Sequence, residues 1–295
     1  MTQTVLITGA SGNIGRHFAK AFAAAGWQVK RYQRGTDLDA AAMGCDVIVN
    51  GMNPPAYHDW ATLQPQITAQ VIRAARASGA TILFPGNVYV YGTQPGPWTA
   101  ETPQMPTSCK GQIRAEVEAT YRAAAAQGVR TILLRAGDFI DPDDGNTWMD
   151  LGYLRAIEKG KVTTAGDPQA RRAHAFLPDL ARAGVALAEK RADLPAFIDV
   201  PFDGYTFSTA DLTADLSRLL GRDLTITGFP WWMMRLASPV WELARELLEM
   251  RYLYDHSHSL SGKTLAALLP DFQPTPMDDA VRQVLARRLP GAVKA

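Results

Sequence analysis

The feature that most constrains this chain is a glycine-rich turn between a short apolar run and an alanine-rich helical segment. Gly9, Gly12 and Gly15 stand where the run 5–8 ends and a helix predicted at 14–25 begins. Glycine lacks a Cβ atom, so the backbone can turn sharply and approach a phosphate, while the helix N-terminus favours its negative charge. The spacing is one residue looser than the Gly-x-Gly-x-x-Gly dinucleotide fingerprint, but the physical requirements are the same. We therefore predict a pyrophosphate site made by Gly9, Ser11, Gly12, Asn13, Ile14 and Gly15.

Apolar, β-branched runs alternate with helical segments through the first half of the chain, and short connections separate them. This alternation is typical of a doubly wound parallel sheet. Strands are predicted at 5–8, 27–32, 45–50, 80–84 and 131–135, and helices at 14–25, 63–77 and 116–127. We predict an α/β protein, a Rossmann doubly wound parallel sheet with a smaller, partly helical C-terminal substrate lobe.

The pattern becomes less regular after residue 137. A loop is predicted at 141–145, a helix at 149–158, a strand at 175–177, and helices at 178–189 and 240–254. The predicted cofactor-binding domain spans 1–136, with 170–200 returning to it. The predicted substrate lobe comprises 137–169 and 201–295.

The end of the second predicted strand indicates which dinucleotide binds. A carboxylate there would bind the ribose hydroxyls of NAD and repel a 2′-phosphate. The sequence instead has Arg31 and Arg34, with no acidic residue before Asp37, and Arg16 follows the last glycine of the turn. Guanidinium groups suit a phosphate. NADP(H) is therefore favoured over NAD(H), the alternative being a solvated basic strand end.

Several segments resemble the short-chain dehydrogenase/reductase superfamily, in its extended and atypical branches. The turn matches the superfamily's Thr-Gly-x-x-Gly-x-x-Gly, and the segments 84–92, 172–181 and 271–276 are similar to later motifs of the extended branch. The resemblance implies a catalytic Ser or Thr at position 87 and a Tyr-x-x-x-Lys pair at 110 and 114. The sequence has Asn87, Lys110 and Arg114 there. Epimerase or dehydratase chemistry by the standard route is therefore not expected.

The segment Lys110-x-x-x-Arg114-x-x-x-Glu118 is similar to that of isoflavone-reductase-like and NmrA-like proteins. That resemblance implies NADPH as cofactor and Lys110 as the general acid/base. The alternative is that Lys110 only binds the nicotinamide ribose or caps a loop. Asn87 would orient substrate or cofactor, and Tyr89 is a second source of a proton, although packing is the alternative for it and for Tyr91.

Further cofactor contacts are expected at the carboxyl edge of the sheet, where open α/β sheets bind ligands. Asp138, just beyond that edge, has either a catalytic or a capping role. The expected contacts follow the third, fourth and fifth predicted strands: Asn50, Gly51, Met52, Gly86, Ala136 and Gly137.

These observations favour an NADP(H)-dependent oxidoreductase that transfers hydride to or from a small, apolar or aromatic carbonyl or alkene. The alternatives are an NmrA-like NADP(H)-sensing regulator without turnover, and a nucleotide-sugar epimerase or dehydratase. The second lobe is rich in aromatic residues, which either line the substrate pocket or fill a core: Trp148, Trp231, Trp232, Tyr252 and Tyr254. The helix predicted at 240–254 is expected to pack in a core or in a homodimer face.

Composition excludes other classes of function. The formal net charge of +1 gives no basic surface for nucleic acid. No apolar run is long enough for a membrane span. Cys45 and Cys109 are expected to be reduced thiols of a cytoplasmic protein, and the lone His256-x-His258 pair does not indicate a metal site.

Overall fold

The computed structural model describes residues 2–291. The strands are β1 (Thr4–Thr8), β2 (Gln28–Arg31), β3 (Val47–Asn50), β4 (Thr81–Gly86), β5 (Thr131–Arg135), β6 (Asp138–Ile140), β7 (Lys161–Thr164), β8 (Arg172–Phe176), β9 (Phe197–Pro201), β10 (Tyr205–Phe207) and β11 (Thr225–Gly228). The helices are α1 (Asn13–Ala24), α2 (Leu38–Ala42), α3 (Trp60–Ser78), α4 (Cys109–Ala124), α5 (Leu177–Glu189), α6 (Thr209–Leu220), α7 (Trp231–Ala237), α8 (Glu242–Glu249), α9 (Lys263–Leu268) and α10 (Met277–Arg288).

A six-stranded parallel sheet in the order β2-β1-β3-β4-β5-β9 forms the centre of the molecule. Its inner strands β1, β3, β4 and β5 are buried along their whole length, because helices cover both faces. Helices α1 and α5 pack on one face, and α3 and α4 on the other. The predicted Rossmann doubly wound sheet is confirmed, with all five predicted strands in it.

The second lobe is built from short strands and helices around its own core. It contains a three-stranded sheet, β10-β8-β6, and a two-stranded parallel sheet, β11-β7. Residues of α6, α10 and the turns after residue 148 fill the core. The chain returns from this lobe to the central sheet as β9. No helix in the described part of the chain is long and apolar enough to cross a membrane.

An ion-pair cluster joins the far edge of the sheet to α4. The guanidinium of Arg135, at the end of β5, contacts Glu118 of α4 at 2.7 Å and Asp199 of β9 at 2.5 Å. All three side chains are at least 95% buried. We call Arg135, Glu118 and Asp199 the scaffold cluster, since all three lie within the Rossmann domain.

Two predicted helices were wrong in their extent. Helix α4 begins at Cys109 rather than at 116, because the Ser108 side chain accepts the Gly111 N–H and caps the helix. The helix predicted at 149–158 is instead a π-type turn, Met149–Tyr153, followed by a 3₁₀ turn. The ring of Trp148 lies against Gly152, where a Cβ atom would be 2.3 Å away, and the Leu154 N–H bonds back to Met149 O at 2.9 Å.

Candidate functional site

The glycine-rich turn is held by close backbone packing between β1, α1 and the loop after β3. Gly9 has φ +63°, and a Cβ atom there would lie 2.2 Å from the Gly51 carbonyl oxygen. A Cβ atom on Gly15 would lie 2.2 Å from the Gly9 oxygen. No side chain caps α1 at Gly12, so the first N–H groups of the helix are available to an anion. The geometry fits a pyrophosphate, as the spacing predicts.

The arginines beside the turn divide into two kinds. Arg16 is tied to the second lobe's loop, 2.8 Å from Asp144 and 3.2 Å from Asp141, so the charge of its guanidinium is paired with two carboxylates. Arg31 and Arg34 are exposed at the end of β2. The carboxylate of Asp37, the first acidic residue after them, caps α2 by accepting the Asp39 N–H at 2.9 Å.

A cavity of about 590 Å³ opens next to this turn, at the carboxyl ends of β3, β4 and β5. The loops after these strands form its floor. Most of the sequence-predicted residues line it together: Ile14, Asn50, Gly51, Met52, Gly86, Asn87, Tyr89, Ala136 and Gly137. The second lobe covers it with apolar and aromatic side chains, mainly Trp148, Leu151, Phe229, Leu243, Leu247, Met250, Leu253 and Tyr254.

Tyr89 is the predicted catalytic candidate that brings a phenol to the cavity wall. Its hydroxyl lies 3.1 Å from that of Tyr57, and both side chains line the cavity. Burial raises the pKa of both phenols, that of Tyr89 well above its usual range, so both hydroxyls stay protonated at neutral pH. Asn87 accepts the Tyr89 N–H at 3.1 Å and so fixes the turn that carries this phenol.

Lys110 is buried but does not lie among the described residues that line the cavity. Its Nζ atom contacts the carboxylates of Glu246 and Glu249 on α8. We call Lys110, Glu246 and Glu249 the lid cluster. The structure therefore surrounds Lys110 with carboxylates, whereas a general acid/base would need access to the substrate.

Arg114 occupies the position where the extended branch has its lysine. Its guanidinium donates to the Pro85 carbonyl at 2.9 Å and lies 4.6 Å from the centre of the Phe84 ring. Burial lowers the pKa of Arg114. The side chain lines the cavity, so it supplies a positive charge beneath it.

A second cation enters the cavity from β8. Arg172 is 96% buried and forms an ion pair with Asp138, the residue that follows the end of β5 by three positions. Its guanidinium also lies 4.2 Å from the centre of the Tyr254 ring. Asp138 is thus a cavity residue whose charge is neutralised, and neither the catalytic nor the capping prediction describes that role.

Several residues that shape the cavity were not predicted from the sequence. Tyr57 lies in a loop where Ala56, Tyr57 and Asp59 all have positive φ angles. No local sequence pattern predicts this backbone conformation. Arg172 lay within a segment that we used only as a family resemblance. Of the aromatic residues proposed for the pocket, Trp148 and Tyr254 line it, whereas Trp232 is 64% exposed.

Comparison with known proteins agrees with this fold. Residues 5–199 match the NAD dependent epimerase/dehydratase family, which is about two thirds of the chain. The molecule is thus a Rossmann protein with a cofactor-type glycine turn, and it belongs to the NAD dependent epimerase/dehydratase family. No curated protein is close enough in sequence to count as a match.

Solved structures of similar fold span the whole chain at low sequence identity. A UDP-glucose 4-epimerase from Brucella ovis in complex with NAD is 18% identical, with a TM-score of 0.74, covering 97% of this chain and 98% of that one. A dTDP-glucose 4,6-dehydratase from Streptomyces venezuelae with NAD bound is 18% identical, with a TM-score of 0.73 and 99% coverage of both chains. A nucleoside-diphosphate-sugar epimerase from Pseudomonas aeruginosa is 17% identical, with a TM-score of 0.72 and full coverage of both.

Proposed function

We propose that this protein is an NADP(H)-dependent oxidoreductase acting on a small, apolar or aromatic carbonyl or activated alkene. The observation that carries the proposal is the cavity beside the glycine-rich turn, which is lined by Tyr89 and by apolar side chains of the second lobe. A bound nicotinamide cofactor would supply or accept the hydride. The Gly9–Gly15 turn would hold its pyrophosphate, and Arg31 and Arg34 its 2′-phosphate.

Tyr89 is the proton donor in this proposal. Of the three catalytic candidates from the sequence, Lys110 does not line the cavity and the Asn87 amide is not an acid, which leaves the phenol. Its hydroxyl would donate a proton to the substrate oxygen as hydride reaches the carbonyl carbon, giving the alcohol. Tyr57 would return a proton to Tyr89 along the 3.1 Å contact between their hydroxyls, and solvent would reprotonate Tyr57, which is only partly buried.

The cofactor choice is tested by titrating the protein with NADPH and NADH and measuring the dissociation constants. We expect NADPH to bind at least about tenfold more tightly, since two guanidinium groups can pair with its extra phosphate. The double variant Arg31→Ala/Arg34→Ala should lose this preference. Arg235→Ala, on α7 of the second lobe, is the matched control and should keep it. Equal affinities in the unmodified protein would refute the NADP(H) assignment.

The chemistry is tested by following NADPH consumption with a panel of small aromatic and aliphatic aldehydes, ketones and activated alkenes. We expect Tyr89→Phe to lower kcat about a hundredfold or more while NADPH affinity is retained, as for the loss of a general acid. Tyr91→Phe is the matched control, because its hydroxyl bonds to the Thr99 carbonyl and the residue does not line the cavity. An unchanged kcat in Tyr89→Phe would remove the role of that phenol.

Family membership favours a second candidate, an epimerase or dehydratase acting on a nucleotide sugar. A diphosphate needs free positive charge, however, and of the two described arginines that line the cavity, Arg172 is already paired with Asp138. Conversion of UDP-glucose or dTDP-glucose in the presence of NAD, without net cofactor consumption, would establish this candidate instead. Tight NADPH binding without turnover of any panel member would favour the regulator.

A further inference from the structure

Helix α8 contributes part of the cavity wall, and we call it the lid helix. Leu243 and Leu247 lie four residues apart on one face and line the cavity, and Met250 and Leu253 continue the same wall. The helix has only eight residues, too short to be stable without tertiary contacts. What holds it in place therefore decides the shape of the cavity.

The lid cluster is the main polar attachment of this helix to the Rossmann domain. Lys110 is only 2% exposed, and its ammonium group contacts both Glu246 and Glu249, which lie three residues apart on the lid helix. The Lys110 backbone N–H also donates to Glu249 Oε1 at 3.0 Å. This N–H belongs to the first turn of α4, where free donors and the helix dipole favour a carboxylate.

The same ammonium group is connected to the proposed proton donor. It lies 5.3 Å from the centre of the Tyr57 ring, in the range of a cation–π contact. The Tyr57 hydroxyl in turn contacts that of Tyr89. Lys110 thus contacts the lid helix on one side and Tyr57 on the other, without reaching the cavity itself.

We propose that Lys110 is a positioning residue that fixes the lid helix over the cavity, so that Leu243 and Leu247 form the wall that selects an apolar substrate. Its position in the chain matches that of a catalytic residue, but its ammonium group contacts the lid helix and the Tyr57 ring. We call this attachment of the lid helix the clamp. The selection of substrate rests on the proposed function, whereas the clamping of the helix does not.

The clamp is tested on the full-length protein by amide hydrogen exchange, which needs neither cofactor nor substrate. In Lys110→Met we expect exchange of residues 242–249 to rise at least about tenfold, because hydrogen bonds to a charged group are lost. Exchange in β1 and β5 should not change. Lys110→Arg should restore most of the protection. Faster exchange throughout the protein would show a general loss of stability and overturn the proposal, as would unchanged exchange in the lid helix.

The double variant Glu246→Gln/Glu249→Gln removes the two negative charges that pair with Lys110. It should reproduce the exchange pattern of Lys110→Met, and combining all three changes should add little, as expected of one coupled interaction. An additive effect would show that the residues act separately and would contradict the clamp.

Kinetics with any substrate found by the panel separate clamping from chemistry. Lys110→Met should raise KM for bulky apolar substrates more than it lowers kcat, and Lys110→Arg should recover KM. A large loss of kcat with KM and lid exchange unchanged would show that Lys110 takes part in proton transfer and would overturn the proposal. If no substrate turns over, the proposed function fails, while hydrogen exchange still decides the clamp.

Discussion

The scaffold cluster and the lid cluster have the same composition, one cation between two carboxylates, and both involve α4. They differ in what they join and in how far water reaches them. The carboxylates of the scaffold cluster are 2% and 5% exposed, and those of the lid cluster 18% and 27%. The first joins α4 to two strands of one rigid sheet, and the second joins α4 to a short helix of the other lobe.

This difference in the exposure of the carboxylates predicts that the two clusters stabilise different parts of the protein. A buried charge that loses its partner is left without water, so breaking the scaffold cluster should destabilise the whole domain. A partly exposed carboxylate can be solvated once its partner is gone, so breaking the lid cluster should release only the helix that it holds. Lys110, Arg114 and Glu118 lie four residues apart on one face of α4. Lys110 belongs to the lid cluster, Arg114 lines the cavity, and Glu118 belongs to the scaffold cluster.

The largest effect is expected for Arg135→Met, which would leave Glu118 and Asp199 buried without a counter-charge. We expect a loss of about 3–5 kcal/mol in the free energy of unfolding, measured by urea denaturation. Arg218→Met breaks two exposed ion pairs and is the matched control, for which no measurable change is expected. A small effect of Arg135→Met would mean that the scaffold cluster resembles the lid cluster after all.

The fold of the first half of the chain could be predicted from the sequence because its signals are local. The apolar run of β1 and the glycines of the turn can each be recognised within a few residues. The lid cluster could not be predicted, since Glu246 and Glu249 are 136 and 139 positions from Lys110 and belong to an ordinary amphipathic pattern. The resemblance drew attention to Lys110 as a catalytic candidate, but only tertiary packing shows that carboxylates surround its ammonium group.

An intermediate effect is expected when one carboxylate of each cluster is replaced by its amide. Glu118→Gln should cost about 2 kcal/mol of unfolding free energy, because two bonds from Arg135 and one from Gln104 depend on that carboxylate. Glu249→Gln should cost less than about 1 kcal/mol, since Glu246 remains paired with Lys110 and water can reach the site. Equal losses in urea denaturation would contradict the distinction between the clusters.

The smallest effect is expected at a second, exposed attachment of the lid helix. His58 Nδ1 lies 2.9 Å from Glu242 at the start of α8, and this bond raises the pKa of His58 and lowers that of Glu242. Asp59 also raises the His58 pKa, and Arg245 also lowers the Glu242 pKa.

A raised folded-state pKa means that the charged pair is fully formed below the usual His pKa of about 6.5 and is lost as pH rises through the folded value. Protonation of Glu242 removes it again in acid, below that group's lowered pKa. Amide exchange at the start of α8, corrected for intrinsic rates, should therefore speed up modestly from pH 6 to pH 8, about twofold or less as for an exposed pair. His58→Gln keeps a hydrogen-bond donor without the charge and should remove this pH dependence, whereas Lys110→Met should retain it. A slope that persists in His58→Gln would assign the titration to another group and leave the lid cluster as the attachment that matters.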